Sequence, residues 1–413
     1  MSEMTLESMK AMDADDPLSG FRERFDIPAG LIYLDGNSLG CMPKDTPTRV
    51  ADVVSREWGE DLIRSWNTND WINGPRRVGA KIAAMIGAND DELIVADSTS
   101  INVFKALTAC LQLNPKRKVL LSERGNFPTD IYMMQGLSAL TSGEISTKFV
   151  EPDDVIEALD YNTAALLLTQ VNYKTGQMRD MRAVTVAAHA KGVPVIWDLS
   201  HSAGALPVDL NGANADFAVG CGYKYLNGGP GAPAFIFAAK RHQDAVFPAL
   251  SGWLGHAAPF DFDDTYAPAP GIDRFQCGTP GVLGIAALEV GVDLMAEANM
   301  ADLRTKSSAL GDLFLALMSD RCGEYGFTPA CPIDASKRGS QVSFHHPDGY
   351  AIMQAIIARG VIGDFRAPDI LRFGFAPLYN SFEDVWNAVT IIENVMKTET
   401  WTADEFQARR AVT

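Results

Sequence analysis

Between about residues 92 and 238, short runs of β-branched and aliphatic residues alternate with helix-length amphipathic stretches, the pattern of a sheet joined by crossover helices. The runs at 92–96, 118–122, 145–150, 164–171, 193–198, 216–220 and 232–238 predict seven strands. Several are unbroken apolar runs, as expected of strands covered on both faces, so the sheet is expected to be largely parallel. Stretches 99–113 and 181–192 carry apolar residues at helical spacing, the second closing at Gly192 with Pro194 behind it. Upstream, 48–66 sets Val50, Val53, Val54, Trp58 and Leu62 near one helical face, interrupted by Gly59. Downstream, a helical pattern over 299–318, the run QVSFHH, a helix ending near Gly360, a short strand at LRFGF and a last helix over 382–397 predict a small α+β domain. The segment 255–273, rich in Pro and Asp, is expected to be an ordered loop. The fold class is therefore α/β, a mainly parallel seven-stranded sheet with crossover helices plus a smaller α+β domain. The expected division is an N-terminal segment 1–65 joining the small domain, a large domain 66–300 and a C-terminal domain 301–413.

Charge narrows the partners. The chain carries 35 Lys and Arg against 52 Asp and Glu, a net charge of -17, which repels phosphate backbones and anionic headgroups. Neither nucleic acid nor a membrane is an expected partner. The six cysteines (Cys41, Cys110, Cys221, Cys277, Cys322, Cys331) form no CxxC pair and read as free thiols. The histidines give no HExxH, and the adjacent His345 and His346 would point to opposite faces of a strand, so no metal site is expected. The start is acidic where a targeting peptide is basic, and no apolar run reaches the roughly 18 residues of a membrane span, which points to a cytoplasmic protein.

The stretches VPVIWDLSHSAG and DFAVGCGYKYLNGGPGAP carry the most chemistry. They put Asp198 at the carboxyl end of an apolar strand, His201 just after it, and Lys224 beyond the next strand. Ligands of open parallel sheets sit outside those ends. An acid and an amine delivered there suit pyridoxal phosphate, which needs a lysine to hold its aldehyde and a carboxylate to keep its pyridine nitrogen protonated. Taken singly, Asp198 reads equally as a helix cap, Lys224 as a solvated loop residue and His201 as a buried core histidine. Together, flanked by glycines that allow tight turns, they favour the cofactor.

The stretches LDGNSLG, DSTSIN, NFPTD, WDLSHSAGALPVDL, GYKYLNGGPGAPAF, FQCGTPGVLGIAALE and LRFGFAPLYNSF resemble, in order from about residue 31 to 383, the kynureninase family of fold-type I pyridoxal phosphate enzymes, in the class V aminotransferase group. The resemblance implies hydrolysis of the Cβ–Cγ bond of L-kynurenine, or of its 3-hydroxy form, to anthranilate and L-alanine in tryptophan catabolism. It implies a homodimer with shared active sites. Lys224 would be the Schiff-base lysine and the base at Cα, Asp198 the partner of the pyridinium nitrogen, and His201 a contact of the ring. Tyr223 would touch the phosphate and relay protons, although its spacing also suits a turn anchor.

The same resemblance assigns Phe127 to the ring face, Asp130 to the neighbourhood of the pyridoxal oxygen, and Thr169 to a polar contact at the ring's side. Thr99 and Ser100, at a strand-to-helix passage that favours anions but equally suits simple capping, would hold the phosphate with Trp253 and Thr279, the latter two from the second subunit. Arg372 would grip the substrate α-carboxylate through its planar fork, where a lone arginine on a strand also suits a surface ion pair. Asn37 and Ser38 would approach the substrate, and Trp66 and Trp71 are candidates for the wall around an aromatic ring or for core packing. The rival in the same group, a cysteine desulfurase or selenocysteine lyase, needs a nucleophilic cysteine, for which Cys322 and Cys331 lie in the right region. A catalytically silent binding protein on the same scaffold is the rival from another class.

Overall fold

The structure is a computed structural model and describes residues 4–409. The seven strands of the large sheet are β1 (Leu93–Val95), β2 (Val119–Glu123), β3 (Ser146–Val150), β4 (Thr163–Thr169), β5 (Val195–Asp198), β6 (Phe217–Gly220) and β7 (Phe235–Ala238). Their spatial order is β1-β7-β6-β5-β4-β2-β3. All neighbours pair in parallel except β7, which runs against both β6 and β1.

Alternation along the strands builds two cores. Ile94, Ile196, Val219 and Ile236 point to one face and meet helices Thr99–Leu113 and Pro128–Leu140 through Val103, Leu107, Met134 and Leu137. Their neighbours Leu93, Val195, Trp197 and Phe237 point to the other, against helices Gly74–Met85, Met181–His189 and Val282–Ala296. Each such fully buried aliphatic side chain contributes about 1.5–3 kcal/mol. Cover on both faces accounts for strands that read as unbroken apolar runs. The three helices starting at Gly74, Pro128 and Val282 went unmarked by the sequence pattern.

The C-terminal part holds an antiparallel sheet of β8 (Thr328–Pro329), β9 (Gln341–His345), β10 (Asp364–Arg366) and β11 (Ile370–Gly374), in the order β8-β9-β11-β10. Helices Met300–Arg321, Gly349–Ile357 and Phe382–Lys397 accompany it. His345 is exposed and His346 buried, as alternation requires. The N-terminal segment joins this part: Met9 and Leu34 share an apolar core with Phe314, Val342 and Ile392. The Asp13 carboxylate accepts the N–H groups of Phe382 (2.7 Å) and Glu383 (2.9 Å), neutralising the start of helix Phe382–Lys397 from far away in sequence.

One expectation fails. The stretch 48–66 is not one amphipathic helix: an α-helix Thr46–Asp52 passes into a π-wound segment Val53–Asp61, a 3-10 turn Leu62–Arg64 and a short helix Ser65–Thr68. The wider winding changes the residue angle, so the proposed face disperses. Val53 is buried, whereas Trp58 and Leu62 are each 58% exposed. No helix among the described residues is long and apolar enough to cross a membrane.

Candidate active site

Parallel register brings Thr169 at the end of β4 beside Asp198 at the end of β5, and Asp198 beside Val219 in β6. The chain then leaves each strand at the same edge, and the turn after β6 carries Tyr223 and Lys224. That turn is tied by Asn227 N–H to the Lys224 carbonyl (2.9 Å) and by Gly228 N–H to the Gly222 carbonyl (2.9 Å). The LDGNSLG loop lies directly on it. Gly40 donates to the Tyr223 carbonyl at 2.8 Å, and a Cβ at this position would fall 2.3 Å from the Lys224 carbonyl oxygen, so only glycine fits.

Lys224 is buried, its Nζ 3.0 Å from His201 Nε2 and 5.8 Å from the centroids of the Phe127 and Tyr223 rings. Burial, then the Lys224 charge, push His201 well below the usual imidazole range, so the ring is neutral and Nε2 accepts. Asp198 is buried and its Oδ1 accepts the Ser200 N–H at 2.8 Å; burial pushes its pKa up, against the pull of Ser200 and Lys224. Asp130, in the first turn of its helix, is fully buried with neither carboxylate oxygen hydrogen-bonded. Burial and the charge of Asp198 push its pKa well up. Thr169 donates to Asn126 Oδ1, which also takes the Phe127 N–H at 2.8 Å and so fixes the approach of that ring. Tyr223 is held protonated far into the basic range by burial and by the nearby Cys221 and Asp198.

Arg372 sits across the β10–β11 pair from Asp364. Its Nε donates to Asp364 Oδ1 at 2.8 Å, Nη2 to Asp364 Oδ2 and to Ser38 Oγ (2.8 Å), and Nη1 to the Tyr173 carbonyl. Asn37 is buried, with its carboxamide oriented so that the oxygen lies 2.9 Å from Arg372 Nε and the nitrogen 3.3 Å from Asp35 Oδ1. Gln341 donates to the same Tyr173 carbonyl at 3.0 Å, so the arginine and the glutamine share one acceptor. The Tyr173 ring packs edge-on to Phe127, centroids 5.3 Å apart.

Thr99 and Ser100 occupy the first turn of their helix, where Ser98 is the cap. Among the described residues, no hydrogen bond or ring contact joins Trp253, Thr279 or Trp66 to Lys224 within one chain. Trp253 packs edge-on to Phe260 (5.8 Å), and Thr279 lines a cavity of about 360 Å³ with Asp97, Gly231 and Cys277. Trp66 packs edge-on to Trp71 (6.0 Å), whose Nε1 donates to Glu57 at 2.6 Å. Cys322 and Cys331 are buried in the apolar core around Phe314 and Val342, and burial pushes the Cys322 thiol up to about 12. Neither suits a nucleophile on a mobile loop. Four further residues of the cluster, Asn126, Tyr173, Gln341 and Asp364, were not marked by sequence. Asn126 and Tyr173 follow strand ends, which is a usable signal; Gln341 and Asp364 depend on sheet register.

A model of the kynureninase C-terminal domain matches residues 303–392. The chain is 52% identical over 414 residues to a kynureninase of Burkholderia mallei (strain SAVP1), covering 99% of this chain and 100% of that one. It is 48% identical over 408 residues to a kynureninase of Pseudomonas fluorescens, covering 98% of each. Among solved structures it is similar to the Escherichia coli cysteine desulfurase CsdA (TM-score 0.75, 18% identity, 92% of this chain and 98% of that one). It is also similar to C-DES with glycine covalently linked to its PLP cofactor (TM-score 0.79, 16% identity, 90% and 99%). These two likenesses are of fold alone, the fold-type I architecture. The full-length identity with curated relatives goes further: the chain belongs to the kynureninase family.

Proposed function

We propose that this chain is a pyridoxal-phosphate-dependent hydrolase that cleaves the Cβ–Cγ bond of L-kynurenine, taking up one water and giving anthranilate and L-alanine, in tryptophan catabolism. The observation that carries the reading is a buried Lys224 against a neutral His201, with Asp198 and Asp130 alongside, in a chain of this family. The buried Asp130 oxygens and His201 Nδ1, which have no hydrogen-bond partner among the described residues, suit a polar aromatic cofactor between them. When bound, pyridoxal phosphate supplies an electron sink for negative charge at Cα and then Cβ of the substrate.

In this reading Lys224 anchors the cofactor and, once free, takes the proton from Cα. Asp198 would pair with the pyridine nitrogen, Phe127 and His201 would cover the ring, and Asp130 and Thr169 would meet its polar edge. The Tyr223 phenol, kept protonated, passes a proton to the reacting carbons. Thr99 and Ser100 hold the phosphate with Trp253 and Thr279 of a second copy, which makes the enzyme a homodimer. Arg372, Asn37 and Ser38 receive the amino acid end, and Trp66 borders the aryl end. The segments 1–65, 66–300 and 301–413 act as the N-terminal, cofactor-binding and small domains of a cytoplasmic enzyme. Incubating the protein and pyridoxal phosphate with L-kynurenine should release fluorescent anthranilate and an equal amount of alanine. Sulfide from L-cysteine with no anthranilate would overturn the reading.

A further inference from the structure

Asp364 and Arg372 are direct cross-strand partners, so the sheet ladder itself fixes their separation. Asp364 is 1% and Arg372 2% exposed. Asp364 takes the inner edge of the guanidinium, Nε and one N–H of Nη2. The outer edge is turned to the Tyr173 carbonyl and to Ser38 Oγ. Of the five N–H donors of an arginine, the four named contacts leave one on Nη1. Ser38 is a neutral hydroxyl that accepts from Arg372 (2.8 Å) and Arg366 (3.3 Å) and donates to Asp364 (2.7 Å). Arg366, two residues along β10 and on the same face, adds a second cation, its Nη2 2.6 Å from Asp364 Oδ2.

We propose that Asp364 is a positioning residue for the substrate carboxylate, gripping the inner edge of Arg372 so that the outer edge, now bridged by Ser38, receives the α-carboxylate while Arg366 supplies the second positive charge. The inference rests on the kynureninase reading and on Arg372 as the carboxylate's holder. Asp364 alone would cancel Arg372 and leave nothing to attract an anion. With Arg366 beside it, the trio keeps one net positive charge. A carboxylate entering at Nη1 and Nη2 displaces Ser38 Oγ and exchanges a neutral acceptor for a charged one, which strengthens the hydrogen bonds.

The test uses the holoenzyme and two readouts, steady-state kinetics with L-kynurenine and calorimetric titration with L-alanine. Asp364→Asn keeps the volume but presents an amide N–H₂ to one guanidinium nitrogen, so the fork turns. KM and the L-alanine Kd should each rise at least about tenfold, the equivalent of about 1.4 kcal/mol, with kcat little changed. The change should add almost nothing in an Arg372→Lys background, because both act on one contact. Since breaking a buried pair can destabilise the fold, Arg366→Gln, on a side chain 35% exposed, gives a second reading: KM and Kd should rise about threefold or more. Unchanged KM and Kd in either variant, or full additivity with Arg372→Lys, would overturn the proposal. L-alanine binding decides on Asp364 even if the wild-type protein made no anthranilate, which would overturn the kynureninase reading instead.

Discussion

The Nζ of Lys224 lies 3.0 Å from Nε2 of His201, and both side chains are buried. Because the imidazole is neutral, it accepts a hydrogen bond from the Lys224 nitrogen without repelling it, and the lysine is pointed across the sheet edge toward Phe127. Borohydride reduction of the holoenzyme followed by peptide mapping should therefore find the pyridoxyl group on Lys224. A label on Lys105, whose Nζ is committed to Asp97 and the Phe275 carbonyl, would refute the assignment.

Asp198→Asn removes a buried charge while keeping the shape that accepts the Ser200 N–H. Cofactor should still bind, since Lys224 and the ring contacts remain. Turnover should fall about a hundredfold or more, the scale expected when a preorganised charge is lost. Pre-steady-state deuterium exchange at Cα is the direct measurement; near-wild-type exchange would remove Asp198 from the chemistry.

Asp35 gives the site a pH response. Burial, then the charge of Asp364, push its pKa up to about 7. A raised carboxyl pKa means the folded state holds its proton more tightly, so the contribution of Asp35 to stability is full below about pH 4 and is lost as pH rises through 7. Asp35→Asn should escape that decline and melt at a higher urea concentration than wild type at neutral pH and above. Binding should follow. With Asp35 protonated, Arg366 and Arg372 outweigh Asp364, and ionising Asp35 cancels the excess. The other groups near this cluster, the hydroxyls of Tyr33, Tyr173 and Tyr225, are shifted upward and His201 downward, so all stay neutral through this range. KM for L-kynurenine should rise above pH 7 in wild type and rise less in Asp35→Asn; parallel profiles would disprove the link.

Gly40→Ala tests the seating of the lysine turn. The added methyl would lie 2.3 Å from the Lys224 carbonyl and 2.4 Å from Asn227 Oδ1, so the turn must move. Overpacking of this kind costs about 1–3 kcal/mol. Urea melts should show that loss, and kcat should fall with it, whereas unchanged kcat would mean that the turn tolerates the shift.

How far the sequence reveals the site follows from which interactions make it. Asp198, His201 and Lys224 were legible because strand ends are legible: an apolar run that stops at a charged residue in a parallel sheet marks a ligand edge. Arg372 was legible as a residue, but its partner was not. Asp364 meets it through antiparallel register across a short hairpin, and register is not displayed by composition or periodicity. The 48–66 stretch misled for a related reason, because reading a helical face assumes one winding along its length. Trp253, Thr279 and Trp66 owe their assignment to resemblance, and no contact among the described residues of one chain tests it.

The joining of Met9, Leu34 and Asp13 to the core and helix of the C-terminal part bears on how the enzyme is made. These residues leave the ribosome well before their partners, which run from Phe314 to Ile392. At about 5–20 residues per second the interval is on the order of tens of seconds. The large sheet can complete itself in that time, but the N-terminal segment must wait with its apolar side chains uncovered, a natural client for a chaperone during synthesis.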